Sequence, residues 1–424
     1  MANKIYNYEL FTNKKEKLRR FQRSRIRRNR MRIFVAAGVA LFVLFILLLV
    51  NSSRCEYYVF KNVSDAEENG DVSYIPFSEG YIKYSTNGIE YQKKLGTAEW
   101  NSPVSSSHPF VVTSKNYALL GDRGGNTIML FDSKGEVKRF TLKYPLVSAS
   151  VSDTGITEVI LGGERNSYLQ VYDKEFSLVA EFRTSVGDMG FPMSAAISPD
   201  GTRLAVSFFQ INGMKTKSSV VFYDLSLEVP AEESAEAEEL SAGFDYDDIM
   251  IPRLDFLNKN TLVAVGDGVA FFYRVSAEPT EIAREEFDRT IESVFSGKGK
   301  IGFVLDNTDD PEGRYELVLY NSRGSQTTSL KVDMNYETIE MYGSEIYAYR
   351  GNVLTILSTS GRIIYQGSLD GGTIQAIIPI RGWRAYRVIF RDKTADMHLR
   401  FWSAETEKKP QIPEKMEMST EAGN

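Results

Sequence analysis

One short unit recurs along most of this chain: a run of Val, Ile, Leu, Phe or Tyr, a tight polar turn, then a second strand. It reads IMLFDSKGEVKRF at 128–140, LQVYDKEFSLVAEF at 169–182, VVFYDLSLEV at 220–229, AFFYRVSAEPTEIA at 270–283, LVLYNSRGSQTTSL at 317–330 and LTILSTSGRIIYQG at 354–367. IEYQKKLG at 89–96 and LRFWSAE at 399–405 are weaker members at either end. The first turn positions, Gln92, Asp132, Asp173, Asp224, Arg274, Asn321, Ser358 and Ser403, are separated by 37 to 51 residues. That is the period of a four-stranded propeller blade. Two further strands precede each unit, as in MSAAISPDGTRLAVSFF at 193–209, where Asp200 and Gly201 supply the turn. Packing this many short strands into sandwiches would need two or three separate domains, and no linker divides them. The eighth unit, 374–402, supplies three strands and then turns polar, leaving its outer position open for CEYYVF at 55–60. The expected fold is therefore an all-β β-propeller over 55–404, closed by its N-terminal strand. It has eight blades, with seven the alternative if the weak first unit is irregular.

Ahead of the repeats lies IFVAAGVALFVLFILLLV, residues 33–50, eighteen apolar or small residues without a charge. As a helix it is about 27 Å long, close to the thickness of a hydrocarbon core. Residues 1–32 carry twelve Lys or Arg against Glu9 and Glu16, so a net charge of -6 divides into +10 for this head and -16 for the remainder. Basic residues beside a membrane helix stay on the cytoplasmic side. The reading is a basic cytoplasmic tail (1–32) lying against lipid headgroups, one transmembrane helix (33–50), and an extracytoplasmic propeller at the cell membrane. A cleaved signal peptide is the rival, but its basic head would be shorter and a small-x-small motif should follow where NSSRCEYY stands. Nucleic acid is not the expected partner, because the adjacent apolar run accounts for the basic charge. The Lys/Glu/Pro-rich tail, 405–424, offers little to bury and is expected to be disordered.

Chemistry-bearing motifs are sparse. One cysteine, Cys55, and two histidines, His108 and His398, exclude a disulfide framework and any Cys- or His-rich metal cluster. Both histidines read as structural or surface residues. No nucleophile elbow, zinc-protease helix, phosphate-binding loop or dinucleotide fingerprint occurs, and no cofactor is implied. The acidic loop 228–248 holds nine carboxylates and no basic residue, which reads as a solvated insertion. Its Asp245, Asp247 and Asp248, with Asp306, Asp309 and Asp310 of DNTDDPEG, are the candidate ligands for a divalent cation. In RGWRAYR, Arg381, Trp383, Arg384 and Arg387 form a basic island that is the candidate surface for an anionic ligand or acidic partner.

The basic head, the 33–50 run, the short link to CEYYVF and units such as VVFYDL resemble a family of uncharacterised single-pass membrane proteins from clostridial-type bacteria with an extracytoplasmic propeller-like domain. SPDG also resembles the strand turn of TolB-like and WD-type propellers. These resemblances imply a fold and carry no functional residue across. The functional expectation is a membrane-anchored binding or scaffold protein of the cell envelope, with a protein or glycan partner. The alternatives are a glycan-active enzyme using carboxylates in the central funnel, and a ligand sensor.

Overall fold

The computed structural model describes residues 53–65, 72–94, 96–163, 166–185, 189–226, 240–308 and 310–401, with positions 34, 37–39 and 42. The chain divides into two compact units, Met1–Arg54 and Cys55–Asn424. The basic head, most of the apolar run and the tail from 402 lie outside the described residues, as do Asp309 and the acidic segment up to 239. The five described positions of the apolar run are helical and exposed. Among the described residues no helix is long and apolar enough to cross a membrane.

The second unit is a ring of eight four-stranded antiparallel sheets. The chain enters on β1 (Tyr57–Asp65). Blade 1 follows as β2 (Ser73–Phe77), β3 (Gly80–Ser85), β4 (Gly88–Lys93) and β5 (Ala98–Pro103), and blade 2 as β6 (Pro109–Thr113), β7 (Ala118–Asp122), β8 (Thr127–Asp132) and β9 (Gly135–Thr141). Blade 3 is β10 (Leu146–Val151), β11 (Thr157–Gly162), β12 (Asn166–Tyr172) and β13 (Leu178–Ser185); blade 4 is β14 (Phe191–Ile197), β15 (Arg203–Asn212), β16 (Lys215–Asp224) and β17 (Leu240–Asp247). Blade 5 is β18 (Arg253–Asn258), β19 (Thr261–Gly266), β20 (Val269–Arg274) and β21 (Thr280–Glu286); blade 6 is β22 (Ile291–Gly297), β23 (Lys300–Asp306), β24 (Tyr315–Asn321) and β25 (Gln326–Val332). Blade 7 is β26 (Thr338–Tyr342), β27 (Glu345–Arg350), β28 (Val353–Ser358) and β29 (Arg362–Ser368). Blade 8 takes β30 (Ile374–Pro379), β31 (Ala385–Phe390) and β32 (Lys393–Arg400) from the end of the ring and β1 from its start. Tyr57 pairs with Arg400 and Asp65 with Lys393, so the fourth strand of the last blade is the first strand of the chain.

The blades form where they do because most third strands, β8, β16, β20, β24 and β28 among them, are buried on both faces, and several stop at a side chain that builds a turn. Leu130 and Phe131, Phe222 and Tyr223, and Leu319 and Tyr320 are all buried. The residue after them bends the chain: Asp132 Oδ1 accepts from the Lys134 amide at 2.6 Å, and Asn321 Oδ1 from that of Arg323 at 2.8 Å. Such Asx turns compete with strand continuation and end it. In SPDG, Asp200 accepts from the Ser198 hydroxyl at 2.7 Å, and Gly201 takes a positive φ of 76° that a side chain would strain.

An apolar cluster fills each of the eight junctions between neighbouring blades. Where blade 8 meets blade 1 the cluster is smallest, Tyr81, Ala376, Ile378 and Ile389 with Tyr74 against them. That seam is completed by polar groups. Buried Arg387 donates to both oxygens of buried Asp396, at 2.9 and 3.2 Å, and Asn62 on β1 donates to Asp396 at 2.9 Å. Gly96 of blade 1 sits so close that a Cβ there would meet the Arg387 guanidinium at 2.4 Å.

The acidic segment departs from the sequence expectation. Residues 240–247, read as part of a loop, are the outer strand of blade 4. Leu240, Ala242, Phe244 and Tyr246 alternate with polar or small residues, and Phe244 and Tyr246 pack against Phe222 and Phe271. The nine carboxylates mask a period of two, and it is the period that decides.

Candidate binding faces of the ring

In each sheet the first-to-second and third-to-fourth hairpins share one end, and the second-to-third hairpins share the other with the connections between blades. Tyr57 pairs with Arg400, and Ala385 with His398, so Cys55 and the loop 380–384 lie at the same end. That end is called the entry end below, and the opposite one the far end.

At the far end, blade 4 is built differently from its neighbours. Arg203 pairs with Asp224 at the same level as Thr261 with Arg274 in blade 5, yet β15 and β16 have ten residues each against six in β19 and β20. Four more residues per strand carry this hairpin roughly 13 Å further out. Its two-residue turn uses Gly213 at φ 65°, and its tip is apolar: Ile211 is 59% exposed and Met214 fully so. Phe191 at the start of β14 and Val147 at the start of β10 are each 47% exposed at this end. Beside them Tyr144 and Tyr168 stack with ring centroids 4.3 Å apart. Sequence reasoning passed over these residues. The signal available was FFQINGMKTK, a strand pair too long for its blade with apolar side chains at the turn.

An open cleft of about 510 Å³ lies at the far end between blades 5 and 6, lined by Asp288, Arg289, Thr290, Asn307 and the DNTDDPEG loop. The carboxylates proposed there as cation ligands are engaged in building the loop. The Thr308 hydroxyl and amide bond Asp306 and hold its carboxyl below the usual range. Lys331 does the same for Asp310, at 2.7 Å, while Asp310 also accepts from the Glu312 amide at 2.8 Å. Asp309 lies outside the described residues. Arg289 spans the cleft floor, donating to Asn307 at 2.9 Å and to Glu316.

The other candidate ligands are spread along β17 and its end. Asp245 is held by the Lys217 ammonium at 2.8 Å and the Ser219 hydroxyl at 2.6 Å, which keep its carboxyl below the ordinary value. Asp247 follows on the same face of the strand, and Asp248, at φ 57°, turns back to the Thr216 amide at 3.4 Å. Among the described residues no three His, Cys, Asp or Glu side chains are grouped to hold a metal ion.

The basic island is divided by burial. Arg381 and Trp383 are exposed at the entry end, whereas Arg384 and Arg387 are buried. Arg384 donates to Cys55 Sγ at 2.7 Å and its guanidinium sits against both the Trp383 and Phe401 rings, 4.7 and 5.4 Å from their centroids. Burial pushes the Cys55 thiol up despite that cation. Arg387 serves the seam described above. An arginine in a strand whose neighbours face another blade needs a buried carboxylate, and Asp396 provides it.

Along the inner strands, Asp255 on β18, Glu292 on β22 and Glu340 on β26 belong to three successive blades. Arg253 pairs with Asp255 at 2.7 Å. Burial alone raises the Glu340 carboxyl, with no second carboxylate acting on it.

Fold and surface together define an eight-bladed propeller whose hairpins and connections form two opposite ends. The chain belongs to DUF5711, a family of unknown function, whose model matches residues 52–399. No curated protein matches the sequence. Among solved structures it is similar to BamB from Moraxella catarrhalis, at 14% identity and a TM-score of 0.46, covering 80% of this chain and 99% of that one. It is also similar to the C-terminal WD40 domain of Sif2, at 13% identity and a TM-score of 0.48 over 80% and 98% of the two chains. Hydrazine synthase from Kuenenia stuttgartiensis is similar at 10% identity and a TM-score of 0.45, over 70% of this chain and 97% of that one.

Proposed function

We propose that this chain is a membrane-anchored scaffold of the cell envelope whose propeller binds a partner protein through its far end. The observation that carries the reading is the raised hairpin of blade 4, with Ile211 and Met214 bare at its tip and Phe191 and Val147 exposed beside it. Exposed apolar side chains on a rigid β framework are what a protein partner covers. The uncharged run 33–50 and the +10 head before it support the anchor and an extracytoplasmic propeller.

The test is capture from solubilised envelope with the full chain and with Ile211→Asp/Met214→Asp. A partner retained by the wild-type chain should be lost from the variant, because each aspartate would be desolvated in the interface. Identical captures would remove the far end from the reading. Topology needs a new thiol, since Cys55 is buried under Arg384. Met214→Cys should react with a membrane-impermeant maleimide in intact cells with permeable walls; protection until the membrane is broken would contradict the orientation.

A further inference from the structure

Basic charge at the entry end is concentrated in one sector of the ring. In blades 6 to 8 the hairpins carry Lys298, Lys300, Arg323, Arg362 and Arg381, and among the described residues the only carboxylates in these hairpins and the entering chain are Glu345 and Glu56. Glu345 is occupied, accepting from the Tyr347 and Tyr386 hydroxyls at 2.8 and 3.1 Å. Lys298, Arg323 and Arg381 are exposed and form no salt bridge among the described residues. The same end of blades 2 to 4 is mixed instead, with Asp132, Asp153, Asp173, Glu175, Asp200 and Asp224 set among Lys115, Lys134, Lys174 and Arg203, so the basic sector belongs to blades 6 to 8. A single-signed sector of this kind is a field directed at one class of partner.

An aromatic side chain is fixed within the basic sector. Trp383 is 49% exposed, with its ring held by Arg384 from one side and Phe401 at 5.2 Å. A tryptophan that is half wet and half packed, with cations around it, is suited to the boundary between lipid headgroups and hydrocarbon. Cys55, five residues after the last residue of the apolar run, enters the ring at this end. We propose that the entry end of blades 6 to 8 docks on anionic lipid headgroups through Lys298, Arg323, Arg381 and Trp383. The proposal rests on the anchored reading above and adds a second, ring-borne contact with the bilayer. Each such cation beside an anionic surface strengthens association about fivefold.

The full chain carrying Trp100→Phe and Trp402→Phe, reconstituted into vesicles with brominated acyl chains, reports on Trp383 alone. In vesicles one third phosphatidylglycerol its fluorescence should be quenched, and in pure phosphatidylcholine it should not be. Lys298→Glu/Arg323→Glu/Arg381→Glu should abolish the quenching while the chain still floats with both kinds of vesicle through residues 33–50. A bilayer-depth probe on Ser360→Cys, in the neighbouring hairpin of blade 7, gives the same reading with every tryptophan retained. Quenching that is absent, equal in the two lipids or indifferent to the triple variant overturns the docking surface while leaving the anchor intact. A chain that floats with neither vesicle overturns the anchor, and the docking proposal with it.

Discussion

Glu158 is a side chain whose ionisation the folded ring opposes. It lies on β11 facing blade 4, is 1% exposed, and has one donor, the Ser150 hydroxyl at 3.0 Å; its second oxygen has no partner. Burial pushes its carboxyl up to about 8, from an ordinary 4.5. A raised folded value means that the neutral form is the one the ring accommodates. Its contribution to stability is therefore complete below pH 4.5 and is lost as pH rises through 8, at about 1.4 kcal/mol per unit between those limits. Glu158→Gln, which stays neutral, should flatten that slope: near pH 5 its melting temperature should match or fall slightly below the wild type, and at pH 8.5 it should be several degrees higher. Melting curves that fall in parallel for both proteins would show that another group controls the slope. Nothing in SVSDTGITEVILGG distinguishes this glutamate from an exposed one, because its burial depends on the face of blade 4, more than thirty residues later in the chain. The basic island has the same history. Arg381, Trp383, Arg384 and Arg387 are visible as a cluster in sequence, but the two that become buried do so through Cys55 and Asp396, and only the assembled ring brings those into place.

At the scale of the strand, the third strands were the most legible. The predicted turn positions Asp132, Asp224, Arg274, Asn321 and Ser358 coincide with the last residues of β8, β16, β20, β24 and β28, and Gln92 and Asp173 fall within one residue of the ends of β4 and β12. Most of these strands are legible because they are buried on both faces and ended by a local event, the Asx turns at Asp132, Asp173, Asp224 and Asn321 being written in the sequence beside them. Fourth strands have one exposed face and no such terminator, which is why β17 was taken for loop. The strand that closes the ring, β1, is held by a few strong contacts. Tyr58 is 6% exposed, its ring meets Tyr365 edge-on at 6.1 Å, and its hydroxyl accepts from the Asp370 amide at 2.9 Å. Tyr58→Ala removes both contacts and leaves a cavity beside buried Ile364 and Leu369, a loss of about 3 to 5 kcal/mol. Denaturant unfolding should measure that loss, and hydrogen exchange should show β1 and β32 opening ahead of the other blades. Uniform acceleration across all eight sheets would instead mean that closure and global unfolding are a single event.

For the whole molecule, the physical problem is the free sheet edge. A row of seven closed blades and a three-stranded eighth would expose the edge of β32, and an exposed edge recruits other chains. Closure by β1 removes it, and the same logic states what is not special about residue 57. Any third-to-fourth connection should serve as the chain's opening, provided the old ends can be joined. They can: Tyr57 and Arg400 are paired neighbours across β1 and β32, so a short glycine-containing turn replaces the break. A permuted chain running 240–401, that turn, then 55–226 would make β17 the N-terminal strand and have it close blade 4 on β16 as β1 closes blade 8. The segment closed is the whole ring in both chains, so the loop-closure entropy, which grows only with the logarithm of length, is nearly unchanged. The permutant should melt in one transition within a few degrees of the native ring, and its scattering should give the same radius. Aggregation, or two transitions with blade 4 melting first, would mean that the seam at blade 8, with its Arg387–Asp396–Asn62 network, supplies a specificity that an apolar junction cannot replace.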